Sequence, residues 1–200
     1  EWPFNTDNSQ RVYVRPSNGE YVINPTFHFL HSYQGGNWTD LNSPLDSPKA
    51  VVEDRLGKLW MGTEGVLYRH NGSTFEQIPG LGGSKLIADP VHPSKVWSLD
   101  QGVVTRTDGT TTQTWTESSF SSLTPGTEFL SGLAVDSRGF AWMGVNTAFR
   151  PGQFSLIWLN PNTGAHKRIY PPRGMTIPGE FYTVLGVSPD NKVWCYYDSE

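Results

Sequence analysis

Cysteine is almost missing from this chain: Cys195 is the single thiol among 200 residues, so no internal disulfide can form. Charge is sparse as well. Charged residues make up 17%, the net charge is −4, and no basic stripe is present to track a phosphate backbone, which argues against a nucleic-acid partner. The apolar runs are short, far below the roughly 20 residues that a helix needs to cross a bilayer. No stretch holds a helical period. Also missing are His-Glu-X-X-His, Gly-X-Ser-X-Gly and a phosphate-binding Gly-Lys-Ser/Thr loop. Abundant instead are glycine (21), proline (15) and aromatics (13%). That is the composition of short strands joined by many turns, in a chain long enough to bury a core as one domain, residues 1–200. The start at Glu1, with neither Met nor an apolar leader, points to a processed or trimmed product that is extracellular, at the cell surface or periplasmic.

What the chain does have is a repeat. The stretch at 49–78 recurs imperfectly, and its cleanest copy runs from Gly132 to Gly144. Anchoring each unit three residues past a tight turn picks out Val22, Trp60, Trp97, Trp142 and Trp194, at steps of 38, 37, 45 and 52 residues. These steps suit a four-stranded propeller blade. Each anchor follows a short apolar run, and Asp54, Asp89 and Asp136 close three of those runs. An Asp there can fold back onto nearby backbone amides, while Gly or Asn supplies the positive φ of a hairpin turn. A second strand pair follows each of the first four anchors, most clearly 66–69 with 74–78. The chain is therefore expected to be all-β, built of four-stranded meanders.

The segment Glu53-Asp54-Arg55-Leu56-Gly57-Lys58-Leu59-Trp60-Met61-Gly62-Thr63, followed by Gly65-Val66-Leu67-Tyr68-Arg69, resembles the two-component-regulator propeller repeat. That family's pattern is an acidic residue, a Gly turn, Leu-Trp, a Gly-Thr pair and then Gly-Leu. The copy at Trp142 matches through Met143-Gly144 and departs at Val145-Asn146; those at Val22, Trp97 and Trp194 keep the framework without Gly-Thr. The resemblance implies a β-propeller. Because the family includes sensor ectodomains, and related propellers include lectins and enzymes, it implies architecture rather than activity.

Units at about 11–41, 49–78, 85–117 and 131–170 are complete, whereas the fifth, 183–200, supplies only two inner strands. Closure by the N-terminal segment 1–10 would add an outer strand to that last blade and hide its edge, giving a five-bladed ring. The alternatives are a piece of a longer propeller and assembly with partner chains.

The blade frame assigns each residue a place. The turns after each anchor strand converge near the axis and carry Asn24, Glu64, Asp100, Gln101, Asn146, Tyr197 and Asp198. Such acids and amides can bind sugar hydroxyls or a hard cation. On the same face run the connections between blades, of which 118–129 and 171–181 are long and contain proline. Phe120, Phe129 and Phe181 lie in them, outside the register of the repeat, and an exposed ring can stack on a pyranose. The other aromatics out of register are Trp2, Trp158 and Tyr170. Trp60, Trp97, Trp142 and Trp194, sharing one register, are assigned to blade packing, and Cys195 to a buried, inert position. The best acid–base pair for a glycoside-active enzyme is Glu64 with Asp100 or Asp198, but any propeller with acidic loops offers such a pair. The expectation is a non-enzymatic, lectin-like binding module without cofactor or metal, its ligand a glycan or a partner protein. A self-assembling subunit of a surface filament or virion, and a sensory ectodomain fragment of a larger receptor, stand beside it.

Overall fold

The computed structural model describes residues 11–15, 17, 19–24, 29–34, 36–45, 48–147, 154–170, 181–188 and 190–198. Four antiparallel four-stranded meanders follow one another along the chain. The first holds β1 (Arg11–Arg15), β2 (Gly19–Asn24), β3 (Phe29–Gln34) and β4 (Asn37–Asp40). The second holds β5 (Ala50–Glu53), β6 (Leu59–Thr63), β7 (Val66–His70) and β8 (Phe75–Gln77). In the third are β9 (Lys85–Ala88), β10 (Val96–Asp100), β11 (Val103–Thr107) and β12 (Thr112–Trp115). The fourth comprises β13 (Glu128–Val135), β14 (Ala141–Thr147), β15 (Ser155–Leu159) and β16 (His166–Ile169). A fifth sheet pairs β17 (Phe181–Val187) with β18 (Val193–Asp198). The first strands of successive sheets pack against one another, β1 on β5, β5 on β9, β9 on β13 and β13 on β17, which is the inner-strand packing of a propeller-like fold.

One latch recurs in three blades. Asp54, Asp89 and Asp136 are all buried, and each uses one carboxylate oxygen to hold the turn that follows. Asp54 Oδ1 accepts from the Leu56 and Lys58 amides, both at 2.9 Å. Asp89 does the same for Val91 and His92 at 2.8 Å, and Asp136 for Arg138 and Phe140 at 3.0 Å. The second oxygen accepts the indole N–H of the anchor: Trp60 at 3.0 Å, Trp97 at 3.1 Å and Trp142 at 3.3 Å. A buried indole nitrogen needs such an acceptor, so Asp and Trp belong to one device. In the third blade Arg106, itself buried, adds its Nε to Asp89 at 2.7 Å and lays its guanidinium over the Trp97 ring.

The core consists of the interfaces between blades. Leu30 of the first blade packs with Val51, Leu59 and Met61 of the second. Val52, Trp60, Leu67 and Ile78 pack with Leu86 and Val96 of the third. Trp97 and Val104 pack with Leu133, Met143 and Ile157 of the fourth. Each anchor therefore needs the following blade to cover it. Trp60 and Trp97 are fully buried, Trp142 is half-buried, and Trp194 is 60% exposed. Trp194 is thus not the packing residue its register implies, because no further blade covers it among the described residues. The same opening leaves Cys195 exposed, correcting the expectation of a buried thiol. The sheets do not close into a ring among the described residues, so the blade count of five is not established. The segment 1–10, expected to complete the last blade, lies outside them.

Candidate functional site

On one face of the ring lie the turns after each anchor strand and the connections between blades. In the second and third blades this face is low and tightly tied. The turns there are two residues long, Glu64-Gly65 and Gln101-Gly102; Gln101 and Gly102 both have positive φ (47° and 77°), as a type I′ hairpin turn requires. Asp100 bridges the two blades. Its Oδ2 accepts from the Gly65 amide at 2.8 Å and its Oδ1 from the Ser84 hydroxyl at 2.5 Å. The connection Gly80-Leu81-Gly82-Gly83 packs closely against both blades. A Cβ on Gly82 would sit 1.9 Å from Asp100 Oδ2, and one on Gly62 would sit 2.5 Å from the Gly83 carbonyl oxygen.

The fourth and fifth blades rise above that level. Aligned on Trp60, Trp97, Trp142 and Trp194, the strand pairings make Ala50, Lys85, Ser131 and Thr183 equivalent positions, opposite Gly62, Leu99, Gly144 and Tyr196. Beyond them the second and third blades turn away, while β13–β14 continues through Leu130–Val145, Phe129–Asn146 and Glu128–Thr147. The pair β17–β18 continues through Tyr182–Tyr197 and Phe181–Asp198. Two to three further residues at about 3.3 Å each raise these hairpins by roughly 7–10 Å. Both inner strands carry a bulge just below the rise, between Ser131 and Leu133 and between Val184 and Gly186. A bulge adds a residue and increases local twist, which re-aims the strand that continues past it.

The candidates from the sequence separate along this division. Phe129 and Asn146 are direct cross-strand partners, and Phe181 and Asp198 are another such pair, on adjacent raised hairpins. Asn146 is a buried ladder residue rather than the loop tip expected, because β14 runs on to Thr147. Glu64 is exposed and paired with Lys49, and Gln101 is exposed in its turn. Asp100 is committed to Gly65 and Ser84, so it does not stand opposite Glu64 as a free second carboxylate. Phe120 is corrected outright. It is 1% exposed, packed with Trp97, Leu123 and Leu130, with its ring edge-on to His166 at 5.2 Å.

The long connection carrying Phe120 is a strut, not an open loop. A 3-10 turn at Glu117–Ser119 starts it, and Phe120 and Leu123 bury beneath it. Glu128 then accepts from the Thr124 amide at 2.8 Å and pairs with Arg168 of β16. Hydrogen bonds from Arg168, outweighing partial burial, hold the Glu128 carboxyl below its ordinary range. The second long connection, 171–180, lies outside the described residues. So do residues 25–28; Asn24 closes β2, and Tyr197 lies in β18. Tyr170, at the outer rim of this face, is 65% exposed with the Arg168 guanidinium over its ring at 4.9 Å. Its position outside the repeat register was the only sequence signal for it. Among the described residues no group of three His, Cys, Asp or Glu is placed to hold a metal, and no helix is long and apolar enough to cross a membrane.

No family model matches the chain, and no curated protein matches it. Solved structures do. The extracellular domain of a one-component system from B. thetaiotaomicron aligns with a TM-score of 0.67 at 14% identity, over 98% of this chain and 27% of that one. A hybrid two-component system from the same organism aligns through its extracellular domain with a TM-score of 0.62 at 13% identity, over 97% of this chain and 26% of that one. An ancestral GH74 enzyme gives 0.68 at 11% identity, over 94% and 28%. At such identities the likeness concerns the fold alone, and this chain spans about a quarter of the length of each. The class so defined is propeller-like: antiparallel four-stranded blades, of the kind also found in extracellular domains of signalling systems.

Proposed function

We propose that this chain is a recognition module of an extracellular or periplasmic sensory ectodomain, binding a glycan or a partner protein on the face bearing the raised hairpins. One observation carries the reading: two adjacent blades carry Phe129, Phe181 and Asp198 beyond the short, tied-down turns of the second and third blades. Aromatic rings and a carboxylate in such an arrangement suit a sugar ring and its hydroxyls. Its likeness to extracellular domains of one- and two-component systems supports the setting. No catalytic step enters the reading. The test is a glycan panel against the full chain, followed by titration of the best ligand. Phe129→Ala and Asp198→Asn are each expected to weaken binding about tenfold, the equivalent of one lost contact worth about 1.4 kcal/mol. Unchanged affinity in both variants would remove the ligand from this face. Absence of glycan binding together with concentration-dependent association would favour an assembly subunit.

Closure of the ring in five blades, with segment 1–10 on the open edge of β18, remains part of the proposal; it rests on the blade steps and on the order of the five inner strands. Removal of residues 1–10 is expected to lower the thermal midpoint of the chain, because it uncovers a strand edge. An unchanged midpoint would contradict closure by this segment.

A further inference from the structure

Lys85 opens β9 at the height where the raised hairpins begin. Its Nζ crosses from the third blade to the fifth and donates to the Val184 carbonyl at 2.9 Å, beside the bulge in β17. The side chain is half-buried, and burial pushes its ammonium below the usual lysine range. Among the described residues no carboxylate pairs with it. Three acids of this face are engaged elsewhere: Glu64 with Lys49, Asp100 with Gly65 and Ser84, and Glu128 with Arg168.

An ammonium carries three N–H donors, and among the described residues only one is used. Burying a cation without a counter-charge is unfavourable, and for a merely structural strut an apolar side chain of similar length would serve as well or better. A position that keeps a half-buried lysine with two donors left over is therefore suited to an incoming anion. Its chemistry narrows the class. Among the described residues it offers one cation and no guanidinium fork, which fits a monoanionic carboxylate better than a phosphate dianion.

We propose that Lys85 anchors an anion subsite beside the β17 bulge, at the foot of the raised hairpins, taking the carboxylate of an acidic sugar such as a uronic acid. The inference rests on the reading that this face binds ligand. The ammonium pairs with the carboxylate while the raised hairpins flank the ring. The test is calorimetric titration of the full chain with glucuronate, glucose and inorganic phosphate, repeated with Lys85→Met and Lys85→Arg. Glucuronate is expected to bind at least tenfold more tightly than glucose or phosphate. Lys85→Met should abolish the preference without lowering thermal stability, and Lys85→Arg should retain most of it. Equal binding of glucuronate and glucose, equal competition by phosphate, or a preference surviving in Lys85→Met would each overturn the proposal. Should Lys85→Met fail to fold, NMR titration of the Lys85 amine in the unaltered chain decides: saturating glucuronate must raise its pKa, and no rise overturns the subsite. Neutral glycans that bind independently of Lys85 would remove this inference and leave the recognition reading standing. Lys85-dependent carboxylate binding with no glycan captured on a panel would do the reverse.

Discussion

Replacing Asp89 by alanine is expected to destabilise the fold by about 3–5 kcal/mol, the usual cost of removing one member of a buried ion pair. Asp89 holds the Val91 and His92 amides, the Trp97 indole and the Arg106 Nε at once. Without it the buried Arg106 keeps only weaker partners, Gln113 at 3.3 Å and Asn162 at 3.5 Å beside His92. Asp54 makes the same turn and indole contacts without an arginine, so Asp54→Ala should cost less, about 1–3 kcal/mol. Urea unfolding of the two variants measures the difference; losses of equal size would contradict a special role for Arg106. The pH dependence follows. Burial alone would push the Asp89 carboxyl up, but the His92 amide, Arg106 and the Val91 amide together hold it below its ordinary value of 3.8. A depressed carboxyl contributes stability above its unfolded value, and that contribution is lost as the pH falls through the folded value. Stability should therefore decline below about pH 4, and Asp89→Asn should flatten that decline. An unchanged acid limb in Asp89→Asn would show that other carboxylates dominate it.

The second large effect separates packing from recognition. Phe120→Ala should cost about 3–5 kcal/mol, as for other fully buried aromatics, because it empties the interface between the third and fourth blades. Ligand affinity, measured below the midpoint of unfolding, should be unchanged. Phe129, half-buried on the raised hairpin, should behave oppositely, with a small stability loss and weakened binding. A Phe120→Ala protein of normal stability and reduced affinity would return that ring to the ligand face.

The meander order was readable from the chain because turn, anchor and apolar run recur together, and Asp54, Asp89 and Asp136 fold onto their turns as their side chains suggest. That the same carboxylates hold the Trp60 and Trp142 indoles was also visible in principle, since both pairs are six residues apart. Arg106 was not, because its contact to Asp89 spans two strands and depends on register. Phe120 was misplaced for a related reason: position in a connection says nothing of whether the loop folds back, and Leu123, Glu128 and Arg168 make this one do so. Trp194 shows the limit of a repeat. Its register equals that of Trp60, but burial of an anchor comes from the blade that follows. The raised hairpins left a faint trace, the longer steps of 45 and 52 residues in the second half of the chain. Lys85 left none, since a lysine opening a strand looks like any solvated charge until Val184 is placed opposite it.

The most direct test of recognition on the raised face is amide hydrogen exchange of the full chain with and without its best glycan ligand. Protection is expected at residues 128–131, 144–147, 181–184 and 195–198, the ladders that rise above the ring. Protection confined to the opposite turns, 54–58, 89–95 and 136–140, would contradict it.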